Sequence, residues 1–535
     1  MPDKNEFDYI VVGAGSAGSV IASRLSENGR YRVLLLEAGA PSHFWSRIPV
    51  GFAKLIDNPA ANWLYESETE ESTGGRRIPI PRGKLLGGSS SINGMVFVRG
   101  QSQDFDHWAQ LGNHGWSYDD VLPFFKKLET FEDGDESFRG RGGPIKVKVN
   151  NERGPLIDAL FAASEEVGIE KNPDYNGAIQ QGIAITQASI NNGTRMSTAR
   201  CYLNPARGRQ NLHIETRAFA EALTFDGLKC TGVQYTVNGQ RREASASREV
   251  IVSGGSINSP QLLELSGIGQ PDVLSAHGIT VRHALPGVGE NLRDHYAPRM
   301  RWGITRRGVT YNDTMRGLGL VRHVLAYALK RDGFLAMSAA PVRAYFCSRE
   351  GLESPDIGTS FSAFQMTPNF ALSPEPGLTG ITHQLRPESK GSIHIRSSQA
   401  SEAPAITFNF LSAELDKQVV KAAVRMTRTM VEAAALDGFR GAEFTPGKDV
   451  QSDDEIIDWV KRTAETTYHP IGTCKMGSDP NAVVDQELRV HGVACLRVAD
   501  ASIMPTLTSG NTNAPSIMIG EKAASMILAA AQATA

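Results

Sequence analysis

Tyr9-Ile10-Val11-Val12-Gly13-Ala14-Gly15-Ser16-Ala17-Gly18 is the stretch on which the fold turns. Four residues of strand character run straight into a Gly-x-Gly-x-x-Gly turn, and Ala17, Val20, Ile21 and Leu25 then recur at helical spacing. Asn28-Gly29 is a stop signal, and Val33 to Leu36 form a second apolar run. Neither run alternates with polar residues, the pattern of parallel strands covered on both faces. Such a strand–turn–helix–strand unit is a dinucleotide cradle. Gly13 permits the tight turn, Gly15 lets backbone approach a pyrophosphate, and Gly18 lets the helix pack close to the strand. The start of the helix offers free N–H groups and a positive dipole end to phosphate. Glu37 closes the second strand about 20 residues on, as the motif requires. Its carboxylate can accept hydrogen bonds from ribose hydroxyls and would repel a 2′-phosphate, which argues against NADP. FAD and NAD both stay open on this unit alone.

Composition narrows the class. The chain has 535 residues, 41% hydrophobic and 21% charged, as in ordinary globular proteins of more than one unit. A formal net charge of −3 gives no general attraction to nucleic acid. No run of about 18 apolar residues occurs, so no transmembrane helix is expected. From the start MPDKNEFDYIVVGAG no secretory leader is expected. Cys201, Cys230, Cys347, Cys474 and Cys495 are scattered and lack Cys-x-x-Cys spacing, so neither a disulfide framework nor a zinc site is expected. The natural reading is cytoplasmic, with peripheral membrane contact left open by composition.

Outward from the first unit, Pro81 to Gly94 is rich in Gly and Ser, and Glu132 to Gly143 reads as an exposed loop. Glu249 to Ser253 return to strand character, Gly254-Gly255 form a turn, and Pro260 to Leu265 begin a helix. Residues 300–460 differ, with amphipathic stretches at Val321 to Leu329 and Lys417 to Ala435 and a strand-like Gly391 to Ile395. A last helix is expected from Ala514 to Ala531. The expected fold is α/β (α+β overall): a Rossmann-type nucleotide-binding domain with an inserted substrate domain of antiparallel sheet plus helices. Residues 1–155, 210–300 and 465–535 are assigned to the first, and 156–209 and 301–464 to the second.

Five blocks in order carry a resemblance. Pro81-Arg82-Gly83-Lys84-Leu85-Leu86-Gly87-Gly88-Ser89-Ser90-Ser91-Ile92-Asn93-Gly94 and Gly255-Ser256-Ile257-Asn258-Ser259-Pro260-Gln261-Leu262-Leu263-Glu264-Leu265-Ser266-Gly267-Ile268-Gly269 come first. His469-Pro470-Ile471-Gly472-Thr473-Cys474-Lys475-Met476-Gly477, Arg497 to Ser502 and Gly510 to Pro515 follow. Together they resemble the glucose–methanol–choline oxidoreductases, in the flavour of their choline dehydrogenase and bacterial alcohol dehydrogenase branch. The resemblance implies FAD and oxidation of a primary alcohol to an aldehyde, by hydride transfer to flavin N5. It implies that Gly13, Gly15, Ser16, Ala17, Gly18, Glu37 and Ala38 hold the ADP half, with Ala220 at the adenine. Trp63, Gly83, Gly88, Asn93, Gly94, Met95 and Val96 would lie along the ribityl chain and ring, and Asp500, Ala501, Thr512 and Asn513 would complete the site. Some relatives attach FAD through a histidine in the Ser-Ser-x-Asn block; here Ile92 stands at that place, so non-covalent FAD is expected.

The same resemblance makes His469 the general base, or the hydrogen-bond partner of the developing alkoxide, and Asn511 its partner, orienting the substrate oxygen, with a turn residue the plain alternative for Asn511. A neutral imidazole suits the first role and an amide donor the second. Thr467 and Tyr468 are expected in the substrate pocket; Tyr468 reads equally well as a core aromatic. His295, His383 and His394 have no partner legible in the sequence, and His394 reads as structural. Arg82 and Lys84 could touch phosphate, with surface solvation the ordinary alternative. Electrons would pass to a quinone or another acceptor. An O₂-using oxidase, an FAD-containing lyase and an inactive flavin binder remain alternatives. Choline would need an aromatic cage with a carboxylate, and none is assignable; primary aliphatic, aryl and polyether alcohols and choline all stay open, with a non-cationic primary alcohol favoured.

Overall fold

The apolar run before the glycine turn becomes the strand Glu6–Val12, inside a seven-stranded sheet. A computed structural model describes residues 5–367 and 371–533 of the chain. Leu212–Thr216, Val33–Glu37, Glu6–Val12 and Gln240–Val252 lie side by side in parallel, and Leu496–Val498 joins the far end of Gln240–Val252. Val33–Glu37 is buried along its whole length, as a strand covered on both faces must be. The near end of Gln240–Val252 pairs antiparallel with Lys229–Val237, which pairs in turn with Ala218–Asp226. Helix Ser16–Leu25 packs against the closing helix Asn513–Ala533. Gly520 allows this: a Cβ there would lie 2.8 Å from the Ala17 carbonyl oxygen. The two ends of the chain therefore share one core.

A six-stranded antiparallel sheet runs Arg440–Thr445, Arg299–Ile304, Gly377–Gln384, Ile357–Ser362, Val342–Phe346, Gly182–Ile185. The two-residue period of a strand sorts its side chains between faces. Met300, Trp302, Val342, Ala344 and Leu378 belong to an apolar core shared with helix Glu414–Glu432. Arg299, Arg301, Arg343, Ser360, Thr379 and His383 fall on the other face and line a cavity.

Two expectations change. The helix expected from Pro260 starts at Gly255, so Pro260 lies inside it. Proline lacks the N–H that would bond the carbonyl four residues back; that carbonyl, Ser256, instead accepts from Thr473 Oγ1 at 2.6 Å. The loop Glu132 to Gly143 is exposed at its tip but buries Arg139, which meets Glu129 at 2.8 Å and Asp174 at 2.5 Å. Helix Gly317–Lys330 buries only Tyr327, and its Leu318, Val321, Leu325 and Leu329 are exposed. Its apolar stripe is thus not packed into a core. Ser392–His394 forms a separate ribbon with Ala405–Thr407. There His394 bridges Glu264 at 2.7 Å and Glu290 at 3.1 Å, a structural ion pair that raises the imidazole to about 9 against its burial. No described helix is long and apolar enough to cross a membrane.

Candidate active site

A cavity of about 750 Å³ runs between the two sheets, within the usual size of ligand sites. One end is the glycine turn. Gly13 takes a φ of +102°, and a Cβ on it would meet the Ser253 carbonyl oxygen at 2.4 Å. A Cβ on Gly15 would have nothing nearer than 4.0 Å, so that side of it faces open space. No side chain caps the helix Ser16–Leu25, and its first turn carries no acid, which leaves a positive helix end directed at the cavity. Glu37 Oε2 accepts from the Ala14 N–H at 3.0 Å and Oε1 from the Gly39 N–H at 2.8 Å. Burial pushes its carboxyl up to about 7, against the pull of these two bonds. Ser16 Oγ reaches Asn513 Oδ1 at 2.8 Å, so the first turn is fastened to the last helix.

Nearly all residues expected to hold a cofactor line this cavity: Gly13, Gly15, Ser16, Ala17, Glu37 and Ala38 at one end, with Ala220 beside them. Trp63, Gly83, Gly88, Asn93, Gly94, Met95 and Val96 follow, and Asp500, Ala501, Thr512 and Asn513 complete the wall. Gly18 is the exception. A Cβ there would fall 1.9 Å from the Gly13 carbonyl oxygen, so Gly18 serves the packing of helix on turn and does not reach the cavity. Gly88 presses on Gly15, where a Cβ would come 2.7 Å from the Gly15 Cα. Asp500 Oδ2 also accepts from the Gly255 N–H at 2.8 Å and Ser259 Oγ at 2.6 Å, which anchors the helix Gly255–Leu265. Ile92 lines the cavity and offers no nucleophile. Arg82 is not a solvated surface charge, since its Nη2 donates to the Tyr468 carbonyl at 2.6 Å, whereas Lys84, half-buried, places Nζ 4.4 Å over the Trp63 ring.

At the other end stand Thr467, Tyr468, His469 and Asn511. Asp294, buried, holds two histidine backbones together: its Oδ1 accepts from the His295 N–H at 2.7 Å and the His469 N–H at 2.9 Å. Tyr468 takes a φ of +69°, strained for a residue with a side chain, and this turns His469 toward the cavity. The proton positions follow from the partners. The Leu385 carbonyl can only accept, so His295 Nε2, 2.9 Å away, carries a hydrogen. Burial holds His295 down to about 4, so the ring is neutral and its Nδ1 is bare. His469 Nδ1, 2.9 Å from that nitrogen, must then donate, and Thr467 Oγ1 at 2.8 Å accepts from the same N–H. The remaining nitrogen, His469 Nε2, keeps its lone pair and faces Asn511 Nδ2 at 2.9 Å. Burial, with the charges of Arg82 and Arg343 nearby, holds His469 well below its usual value of 6.5. The result is a neutral base with its tautomer set from behind and an amide donor at its tip.

Model matches to the GMC oxidoreductase family cover residues 7–297 and 387–520. The chain belongs to the GMC oxidoreductases. As a GMC oxidoreductase it is an FAD-dependent enzyme acting on CH–OH groups, built as a Rossmann-type fold with a substrate domain. It is 42% identical to the oxygen-dependent choline dehydrogenase of Brucella suis biovar 1, over 98% of this chain and 96% of the relative. Against that of Chromohalobacter salexigens it is 40% identical, with 98% and 96% covered. Among solved structures, pyridoxine 4-oxidase from Mesorbium loti superposes with a TM-score of 0.88 at 30% identity, covering 97% of this chain and 98% of that one. Formate oxidase of Aspergillus oryzae RIB40 gives 0.92 at 26% identity, with both chains covered completely. The site fits the family's cofactor on its own geometry: an uncapped helix end, two touching glycines and a buried carboxylate border one continuous cavity.

Sequence reasoning missed three groups at the reacting end. His295 is the partner of His469, while His383 and Arg343 line the cavity beside it. None lies in a block with a local signature, and only the antiparallel sheet and the Asp294 turn bring them in.

Proposed function

We propose that this enzyme oxidises a non-cationic primary alcohol to an aldehyde, with His469 as the general base and Asn511 as the oxygen-orienting partner. The observation that carries the reading is the unprotonated His469 Nε2 at the cavity wall, which accepts from the Asn511 amide N–H at 2.9 Å. FAD, held along Gly13 to Ala38, Gly83 to Val96 and Asp500 to Asn513, supplies the hydride acceptor when bound. His469 Nε2 takes the hydroxyl proton, and the positive charge that develops is shared through Nδ1–H with His295 Nδ1 and Thr467 Oγ1. Asn511 donates to the substrate oxygen and fixes the carbon's orientation. Ile92 at the place of an attaching histidine supports a non-covalent cofactor.

The choline dehydrogenase relatives make choline a candidate. Against it, the carboxylates on the cavity wall are engaged: Glu465 with Arg299 at 2.6 Å, Asp500 with backbone and Ser259, and Glu37 at the far end. Electrons are proposed to pass to a quinone or another carrier, and the exposed apolar face of Gly317–Lys330 supports peripheral contact with a membrane. The test is anaerobic bleaching of the yellow absorbance by a panel of primary alcohols. His469→Ala should keep FAD and lose about 10²- to 10⁴-fold in rate, the range for a positioned base. An unchanged rate would remove His469 from the role.

A further inference from the structure

Arg343 is a buried cation with no ion-pair partner among the described residues. It sits mid-strand in Val342–Phe346 and is 3% exposed. Its neighbours Val342 and Ala344 point into the apolar core, so its own side chain takes the cavity face. Nε donates to Tyr345 Oη at 2.8 Å and Nη1 to Ser360 Oγ at 3.0 Å. Nη2 is buried and has no partner, and no carboxylate among the described residues forms an ion pair with this guanidinium. His383 lies on the same face of the sheet, two strands over in Gly377–Gln384, equally buried, with both ring nitrogens unpartnered. Its ring stands 4.8 Å from that of His295, which in turn contacts His469. Burial and the charge of Arg343 keep His383 neutral, so it has one N–H to give.

Buried polar groups are almost always satisfied, and an unpaired buried charge is costly. An orphaned guanidinium nitrogen and an orphaned imidazole N–H, on two residues that line one ligand cavity, therefore describe the ligand: it brings acceptor oxygens and negative charge. A guanidinium suits a planar carboxylate in this respect. We propose that Arg343, assisted by His383, is a carboxylate-binding subsite beside His469 and Asn511, and that the substrate is a hydroxy acid, an alcohol bearing a carboxylate, not a quaternary-ammonium alcohol. The substrate half rests on the alcohol-oxidising reading above; the anion subsite does not.

The experiment titrates the FAD-loaded enzyme with butyrate, which cannot be oxidised as an alcohol, and follows the flavin difference spectrum. Butyrate should give a saturable change that choline chloride does not displace. Arg343→Met should weaken it at least tenfold, Arg343→Lys should recover part, and His383→Phe should weaken it severalfold. No saturable change, equal affinity in Arg343→Met, or displacement by choline would overturn the subsite. A second measurement needs no variant and so does not depend on Arg343→Met folding. Anaerobic bleaching of the native enzyme should half-saturate at a tenfold or more lower concentration of 4-hydroxybutyrate than of butan-1-ol or choline, and the reverse order would sink the proposal. If no alcohol bleaches the flavin yet butyrate binds through Arg343, the catalytic reading fails and the subsite stands. Bleaching by alcohols without carboxylate binding gives the opposite result.

Discussion

His469 owes its state to atoms it does not share a motif with. The Leu385 carbonyl fixes the proton on His295, His295 fixes the proton on His469, and the lone pair is left facing Asn511. Because burial holds His469 well below 6.5, it stays unprotonated as pH falls through 6.5 and gains its proton only below that value. The acid limb of the bleaching rate should therefore lie below pH 6.5; a limb at or above it would contradict the buried, cation-flanked imidazole. His295→Ala removes one acceptor of the Nδ1–H but leaves Thr467 Oγ1 at 2.8 Å. The rate should fall by about 10- to 100-fold, short of the about 10⁴-fold cost of a wrong tautomer in a catalytic triad. His295→Gln, which can restore an acceptor, should recover part of it. Equal losses in both variants, with no change in the pH profile, would indicate packing and no tautomer control.

At the scale of elements, helix Gly255–Leu265 joins the nucleotide sheet to the loop that carries His469. Pro260 leaves the Ser256 carbonyl without its helical donor, and Thr473 fills the vacancy at 2.6 Å. Ser256 Oγ meanwhile donates to the Pro470 carbonyl at 2.7 Å. Thr473→Val keeps the shape but orphans that buried acceptor, which should cost about 1–3 kcal/mol. Denaturant unfolding would measure it, and a change within about 0.5 kcal/mol, the scale of an ordinary surface substitution, would mean the bond contributes little. Pro260 hid this helix start from sequence reading, because proline normally marks the first turn. The helix Gly317–Lys330 bears out the amphipathic stretch read at Val321 to Leu329, but periodicity does not say what covers the apolar face.

For the molecule as a whole, the cavity lies where the chain's first turn, its last helix and the antiparallel sheet converge, with Ser16 bonded to Asn513 across 497 residues. A cofactor that binds only this assembled state stabilises it by mass action, about 2.7 kcal/mol at 100 times its dissociation constant. Adding FAD to stripped protein should raise its melting temperature, and acid or denaturant should release all the flavin into the supernatant. Flavin that stays with the precipitated chain would contradict non-covalent binding at Ile92. The sequence by itself determined the parallel nucleotide-binding unit, because that unit rests on a short contiguous stretch whose backbone geometry is local: Gly13 must turn, Gly15 must stay bare, Glu37 must end its strand. FAD and the proposed roles of His469 and Asn511 came from the resemblance of several blocks taken together. Only the tertiary structure decided that His295, 174 residues from His469, sets its tautomer, and that Arg343 faces the cavity unpaired. Strand alternation puts Arg343 opposite Val342, but which face meets the cofactor's cavity depends on how two sheets pack, and no local pattern encodes that.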